Sequence, residues 1–435
     1  MTDRRNQLKS GVFAFGDQMV VSAGTFLTLM IVSRNCSASD VGIFSLTWTV
    51  VSLLRTVQER LIAAPFVAFT YQPGFSRPTF RGSSITHQLT FATVSAITIV
   101  VISVVVAWKD QRSFHFTLGL SLAFAMFFHL VRDHMRAISY TDFAFSRLLA
   151  LDSIIVMSQL LCLLILGWQN IFSLPIANIV LGIACLAPIA MWFHQSRTSY
   201  SFDRKLIASD WFHNWKYSRW LVGGRIIGIA PVIAIPWLIV FFQGEEGTGI
   251  YAVCSSIVGL SMMFVTGVNN MYQPKTVLEF QKNGSRGMTS VLMESVFIVT
   301  IVLTVVSVFF WFFGDQVLRY YGANYAKYGY LVFLLSISTL IASISAMSGN
   351  GLVALGKSKE LFWGEVSCCL VTIVTAILFI RSYGLVGVGY SWILGNVAAT
   401  VVTTITLTQS LRIHRQKLGL SDSGVSLARD EIQGI

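Results

Sequence analysis

Residues 12–32 read VFAFGDQMVVSAGTFLTLMIV, with Asp17 the single ionisable side chain among them. As a helix rising 1.5 Å per residue, this stretch is about 31 Å long, the thickness of a bilayer's hydrocarbon core. Comparable runs recur along the chain and predict helices at 12–32, 41–70, 88–107, 114–131, 148–167, 173–193, 218–242, 250–272, 289–313, 329–348, 360–380 and 385–407. No small-residue cleavage site follows the first run, so it is read as a retained helix and not a signal peptide. Composition agrees. Of 435 residues, 54% are hydrophobic and only 12% charged, against roughly 25% charged in soluble domains. The predicted fold class is an all-α polytopic membrane protein with about 12 transmembrane helices.

The net charge of +11 does not point to nucleic acid, because the basic residues are scattered through short loops and form no single face or tail. Their placement instead predicts orientation. With the N-terminus in the cytoplasm, the connections and termini on that side hold 22 of the 31 Lys and Arg, and the other side holds 6. Such a bias places both termini in the cytoplasm, and a bacterial cytoplasmic (inner) membrane is expected. The six cysteines, Cys36, Cys162, Cys185, Cys254, Cys368 and Cys369, lie in or beside apolar runs without metal-ligand spacing. They are expected to be buried thiols. No metal, cofactor or catalytic group is predicted, and the chain is not read as an enzyme.

The longest connection, His194 to Tyr217, falls at the midpoint. It divides the chain into an N-terminal six-helix lobe at 1–194, a cytoplasmic inter-lobe loop at 195–217, a C-terminal six-helix lobe at 218–408 and a polar, mobile cytoplasmic tail at 409–435. The halves echo each other: Gly42-Ile43-Phe44-Ser45-Leu46 corresponds to Gly249-Ile250-Tyr251-Ala252-Val253 at an offset of 207. An even number of helices per half implies parallel repeats about an axis along the membrane normal, with a central cavity between them, which is a transporter architecture.

Several motifs in the first 70 residues carry a resemblance: Ser10-Gly11, Phe15-Gly16-Asp17-Gln18, Ser22 and Phe26, then Asp40-Val41-Gly42-Ile43-Phe44, then Arg60-Leu61-Ile62-Ala63-Ala64-Pro65. Together they resemble the Wzx-type polysaccharide-transporter branch of the multidrug/oligosaccharidyl-lipid/polysaccharide exporter superfamily. The resemblance implies two six-helix lobes that open alternately to either side. It also implies a lipid-linked oligosaccharide as cargo, for O-antigen, capsule or exopolysaccharide biosynthesis, with membrane lipids and polysaccharide polymerase or chain-length machinery as partners.

Ionisable groups at membrane depth are costly and mark pathways. Arg55 sits about 21 Å into the second helix, with Arg60 one to two turns further on. Guanidinium binds phosphate through two parallel hydrogen bonds and stays charged. Arg55, Arg60 and Arg225 are therefore candidates for holding a polyprenyl (di)phosphate, although Arg55 and Glu59, four residues apart, would also neutralise each other. Asp17 and Arg225 occupy matching positions in the two halves with opposite signs and are candidates for a gate, unless each is paired within its own lobe. Glu59, Asp152, Glu294 and Glu365 are further candidates for gating or ion coupling. Gly224, Gly228, Pro231 and Pro236 suggest a hinge, or plain helix packing.

Gly351-Leu-Val-Ala-Leu-Gly356-Lys357-Ser358 matches the phosphate-loop pattern GxxxxGK[ST]. That loop needs a strand before it and a sheet to pack on. Here an apolar helix precedes it, so it is read as a turn, with no ATP binding. Three functions are carried forward: a lipid-linked oligosaccharide flippase, a cation-coupled small-molecule or drug antiporter of the same superfamily, and a membrane-embedded polysaccharide polymerase or ligase. Arginines at membrane depth favour an anionic cargo, and the short external loops disfavour the enzyme.

Overall fold

The computed structural model describes the backbone of residues 2–72, 77–110, 113–196 and 200–433, and the side chains of 12–72, 78–109, 114–196, 200–357 and 359–413. Among these residues every regular element is helical. They are α1 (Thr2–Asn35), α2 (Ala38–Gln58), a π-turn (Glu59–Ala63), α3 (Ala64–Phe69), α4 (Arg77–Asp110), α5 (Ser113–Thr141), α6 (Phe145–Trp168), α7 (Leu174–Ser196), α8 (Arg204–Arg319), a 3-10 turn (Ala323–Tyr328), α9 (Gly329–Ala354), α10 (Ser358–Tyr383) and α11 (Leu385–Gln433). Ten stretches are long and apolar enough to cross a bilayer, and the protein is a multi-pass membrane protein.

The continuous helical run of α8 conceals three passes. A straight helix of 116 residues would be about 174 Å long. Gly244 and Gly284 instead adopt φ of 74° and 59°, left-handed values that end a right-handed helix and that glycine tolerates without a Cβ clash. Contacts across each glycine show the chain turning back. Thr248 donates to the Pro236 carbonyl at 3.2 Å, and Lys275 reaches Glu294 at 2.9 Å, separations impossible along one straight helix. With α8 folded in three, the described helices make twelve membrane-length passes.

The residues pack as two compact units, Met1–Leu260 with Gln316–Ala326, and Ser261–Asp315 with Lys327–Ile435. In the first, α5 is the central element and the most buried of the apolar helices. Leu122, Met126 and Leu130 pack with Val51, Ile155 and Cys185, and further along Met135 and Ile138 meet Phe66, Phe80 and Trp192. Also within this unit, Gly42 and Gly249 make a reciprocal backbone contact. A Cβ on Gly42 would strike the Glu245 carbonyl and the Gly249 amide, and one on Gly249 would strike the Ala38 carbonyl and the Gly42 amide. The offset of 207 relates Gly42 to Gly249 and Ala38 to Glu245 and so turns one contact into the other, and the sequence correspondence reappears as a symmetric packing of glycines. In the second unit Val265, Val299, Leu303 and Met347 form one apolar cluster and Met288, Leu292, Leu352 and Leu407 another.

Several boundaries differ from the sequence reading. The fourth predicted helix, 114–131, continues to Thr141 because the charges that follow Val131 find partners inside the protein. Residues 204–217, read as loop, begin α8. Asp203 caps it by accepting the Lys205 amide at 2.9 Å, and its first turns lie against α4, with His87 Nε2 2.9 Å from the Ile207 carbonyl. The polar tail continues α11 to Gln433. The phosphate-loop look-alike is a helix stop. Gly356, at φ 69°, follows α9, with Gly356 N–H donating to the Val353 carbonyl at 3.0 Å and Lys357 N–H to the Leu352 carbonyl at 2.8 Å. This is the paired bonding of a Schellman cap.

Candidate functional site

The site is built on α5. His129, Arg132, Arg136 and Tyr140 recur at three- and four-residue spacing, which aligns them along one helical face, and Asp133 lies one step round. Burying this face requires that each charge be matched. Arg55 of α2 meets Asp133 through both prongs of its guanidinium, Nε to Oδ2 at 2.5 Å and Nη2 to Oδ1 at 3.0 Å. Arg132 Nε donates to Asp152 Oδ1 at 2.8 Å. Arg136 bridges two carboxylates, donating to Asp152 through Nη1 and to Asp17 Oδ2 through Nη2 at 2.8 Å. Tyr140 Oη adds a hydrogen bond to Asp17 Oδ2 at 3.0 Å. Asp17 and Asp152 are wholly buried, while the Arg55 side chain remains 42% exposed. Three arginines and three aspartates balance.

Two cavities meet at Arg55. One, of about 350 Å³, is lined by α1, α2, α5, α6, α7 and the first part of α8. Its ionisable lining groups are Arg55, Arg132 and His129; no carboxylate lines it. Hydroxyls of Thr25, Thr28, Ser45, Ser255 and Ser256 and the Trp48 indole make up much of the rest. His129 stands edge-on to Trp48 at 5.1 Å. Both His129 ring nitrogens and Trp48 Nε1 are buried with no hydrogen-bond partner among the described residues. The second cavity, of about 590 Å³, shares Ser52 and Arg55 with the first and is lined by charges of both signs, including Glu59, Asp133 and Arg136.

The predicted residues divide accordingly. Arg55 lies at the junction, but its partner is Asp133 and not Glu59. Glu59 pairs with Arg60 at 3.2 Å, and both lie in the π-turn. There the Ala64 amide donates to the Glu59 carbonyl, one residue beyond α-helical register, just before Pro65, which has no amide hydrogen to give. Asp17 is brought to Arg136 and Tyr140 and not to Arg225, which is exposed. Asp152 is consumed by two guanidiniums. Glu294 accepts from Tyr272 Oη at 2.8 Å and Lys275 Nζ at 2.9 Å, in the second unit. Glu365 is exposed on α10. Helix α8 runs unbroken through Pro231 and Pro236 and through Gly228, and a Cβ on Gly224 would meet nothing within 4 Å, so no tight helix contact forms there. Gln159, Asn350 and Asn396 make interhelical hydrogen bonds to Thr28, Asn269 and Ser338 at 3.2, 2.9 and 2.8 Å.

Sequence reading missed His129, Arg132, Asp133, Arg136 and Tyr140. It assigned residues 132–147 to a connection because they are charged. The available signal was the absence of glycine, proline and asparagine from that stretch, combined with helical spacing of its charges.

No family model matches the sequence, and no curated protein matches it. Solved structures do. A multidrug-resistance MATE-family transporter of the MOP superfamily, in an inward-facing conformation, superposes with a TM-score of 0.74 at 12% identity, over 90% of this chain and 95% of the other. The chain has the fold of the MOP-superfamily transporters. The lipid II flippase MurJ in its inward closed conformation gives a TM-score of 0.72 at 11% identity, over 92% of this chain and 89% of the other. A MOP-superfamily transporter from Pyrococcus furiosus gives 0.65 at 12% identity, over 94% and 95%. This two-lobe, all-helical MOP fold agrees with the expected fold class.

Proposed function

We propose that this protein flips a polyprenyl-(di)phosphate-linked oligosaccharide across the bacterial cytoplasmic membrane by alternating access, with both termini in the cytoplasm, for O-antigen, capsule or exopolysaccharide biosynthesis. The observation that carries this reading is the 350 Å³ cavity whose ionisable lining is Arg55, Arg132 and His129 with no carboxylate. A cationic cargo would find no counter-charge there. A phosphate finds a guanidinium, and sugar hydroxyls find serine and threonine hydroxyls and the unpartnered nitrogens of His129 and Trp48.

Arg55 is the phosphate ligand in this mechanism. Its two donors, held by the Asp133 carboxylate when no cargo is bound, have the geometry that a phosphate also accepts. The phosphate replaces Asp133 at the fork. Arg132 and Arg136 remain neutralised by Asp152 and Asp17 and so keep the cavity from over-binding an anion that must leave again. The mixed-charge 590 Å³ cavity, with Glu59 and Asp133, favours the second reading, a cation-coupled antiporter.

The test is transport in proteoliposomes of a fluorescent polyprenyl-diphosphate oligosaccharide and, separately, of a cationic dye. Wild type moves the oligosaccharide, Arg55→Ala loses that movement, and Arg55→Lys keeps part of it. A wild type that carries only the dye refutes the flippase reading. Undiminished flipping by Arg55→Ala removes Arg55 from the mechanism.

A further inference from the structure

A third cavity, of about 490 Å³, lies within the first unit, where the end of α1 and the start of α2 meet the chain that follows α8. Its lining includes Arg34, Arg319, Asn324, Tyr325, Ser33 and Cys36, and no carboxylate. Arg34 is seventeen residues beyond Asp17 on α1, about 26 Å along the helix axis, so this pocket lies at the far end of the apolar span Val12–Asn35 from Asp17, which is near its start.

We propose that this pocket binds a lipid-borne phosphate at the membrane face opposite Asp17. Three observations point there. Arg34 and Arg319 each sit in the last turn of their helix, both exposed, and no salt bridge engages either among the described residues. Tyr325 is only 2% exposed, and its hydroxyl has no hydrogen-bond partner among the described residues. A buried hydroxyl left in this state costs free energy unless a ligand or water takes its hydrogen bond. The pocket wall is locked in shape: Ser33 Oγ donates to the Tyr321 carbonyl at 3.3 Å, Phe26 and Tyr321 meet edge to face at 5.7 Å, and Gly322 turns the chain at φ 148°.

Three carboxylates lie nearby, Asp40, Glu245 and Glu246, and none of them lines the pocket. Asp40 serves the Ser37 cap, accepting the Ser37 amide at 3.2 Å and its hydroxyl at 2.6 Å, and Glu245 accepts from Ser39 at 2.9 Å. Burial and the neighbouring Asp40 push the Cys36 thiol up to about 12, so the thiol stays neutral and adds no repulsion. Two guanidiniums and a phenol hydroxyl around a polar pocket suit a phosphate mono- or diester. Its position at a helix end suits a phosphate anchored by an acyl or isoprenoid chain. The inference does not depend on what cargo crosses at Arg55.

Native mass spectrometry of the full-length protein tests it, with undecaprenyl diphosphate and dioleoyl phosphatidylglycerol titrated separately. All variants carry Arg55→Ala, which removes competing phosphate binding at that residue. Arg34→Gln/Arg319→Gln is expected to weaken one or both probes at least about tenfold, the loss of charge-assisted hydrogen bonds. Arg34→Lys/Arg319→Lys retains most of the affinity. Tyr325→Phe, which changes no charge, weakens the same probe severalfold. Weakening confined to undecaprenyl diphosphate assigns the pocket to an isoprenoid carrier, and weakening confined to phosphatidylglycerol assigns it to a bulk headgroup. Unchanged affinity for both probes in both the glutamine and phenylalanine variants overturns the proposal.

Discussion

Asp152→Asn should be among the most damaging isosteric substitutions in this protein. Asp152 has no exposed surface and accepts from two guanidiniums, Arg132 and Arg136, themselves 7% and 13% exposed. Arg136 retains Asp17 after the change, but Arg132 is left as an uncompensated buried charge. Removing one member of a buried ion pair costs about 3–5 kcal/mol, a shift of roughly two to three and a half orders of magnitude in the unfolding equilibrium. Asp17→Asn should cost less, about 1.5–3 kcal/mol, because Arg136 then still holds Asp152. The assay is equilibrium unfolding in detergent, titrated with dodecyl sulfate and followed by circular dichroism. The double variant Arg132→Met/Asp152→Leu provides the control. Apolar replacement of a buried pair is often neutral or stabilising, so it should recover more than half of the single-variant loss. If Asp152→Asn unfolds within about 0.5 kcal/mol of wild type, the scale of an ordinary surface substitution, then Asp152 is not the buried anionic hub and the charge balance drawn around α5 is wrong.

The reciprocal glycine contact predicts that Gly42→Ala and Gly249→Ala each lower stability by about 1–3 kcal/mol. The new methyl meets backbone and not a movable side chain, and the same detergent unfolding measurement reports it. Cys36, with its thiol raised to about 12, is protonated at pH 8, since a raised pKa leaves almost no thiolate below it. A variant retaining Cys36 alone should react with iodoacetamide far more slowly at pH 8 than the same chain unfolded, with the rate rising as pH approaches 12; equal rates at pH 8 contradict the burial described. Gly356→Ala places a Cβ on a left-handed residue and should cost about 1 kcal/mol, seen as a lower unfolding midpoint. ATP added to wild type should not raise that midpoint.

Much of this protein is legible in its sequence, because a bilayer imposes a simple rule. Uninterrupted apolar runs of about 20 residues must be helices that cross it, and twelve such runs correspond to twelve membrane-length passes here. The correspondence between Gly42 and Gly249 was visible for a similar reason: glycine at a helix crossing is demanded by backbone approach, so it survives where bulkier neighbours vary between the halves. The look-alike phosphate loop was also readable as a turn, since no strand precedes it.

The α5 cluster was not legible, and the reason is physical. Hydropathy scores each residue as if it faced lipid, so Arg132, Asp133 and Arg136 register as too costly to bury and are assigned to a loop. Their cost is cancelled by Arg55, Asp152 and Asp17, which lie 78, 20 and 119 residues away in sequence, counting from Asp133 to Arg55, Arg132 to Asp152 and Arg136 to Asp17. Pairing is a property of three-dimensional neighbours. The sequence alone therefore determined that this chain is a many-helix membrane protein and which charges lie at depth along α1 and α2. Only the tertiary structure decided that Arg55 belongs to Asp133 and not to its helical neighbour Glu59, because a guanidinium binds whichever carboxylate packing brings into its plane.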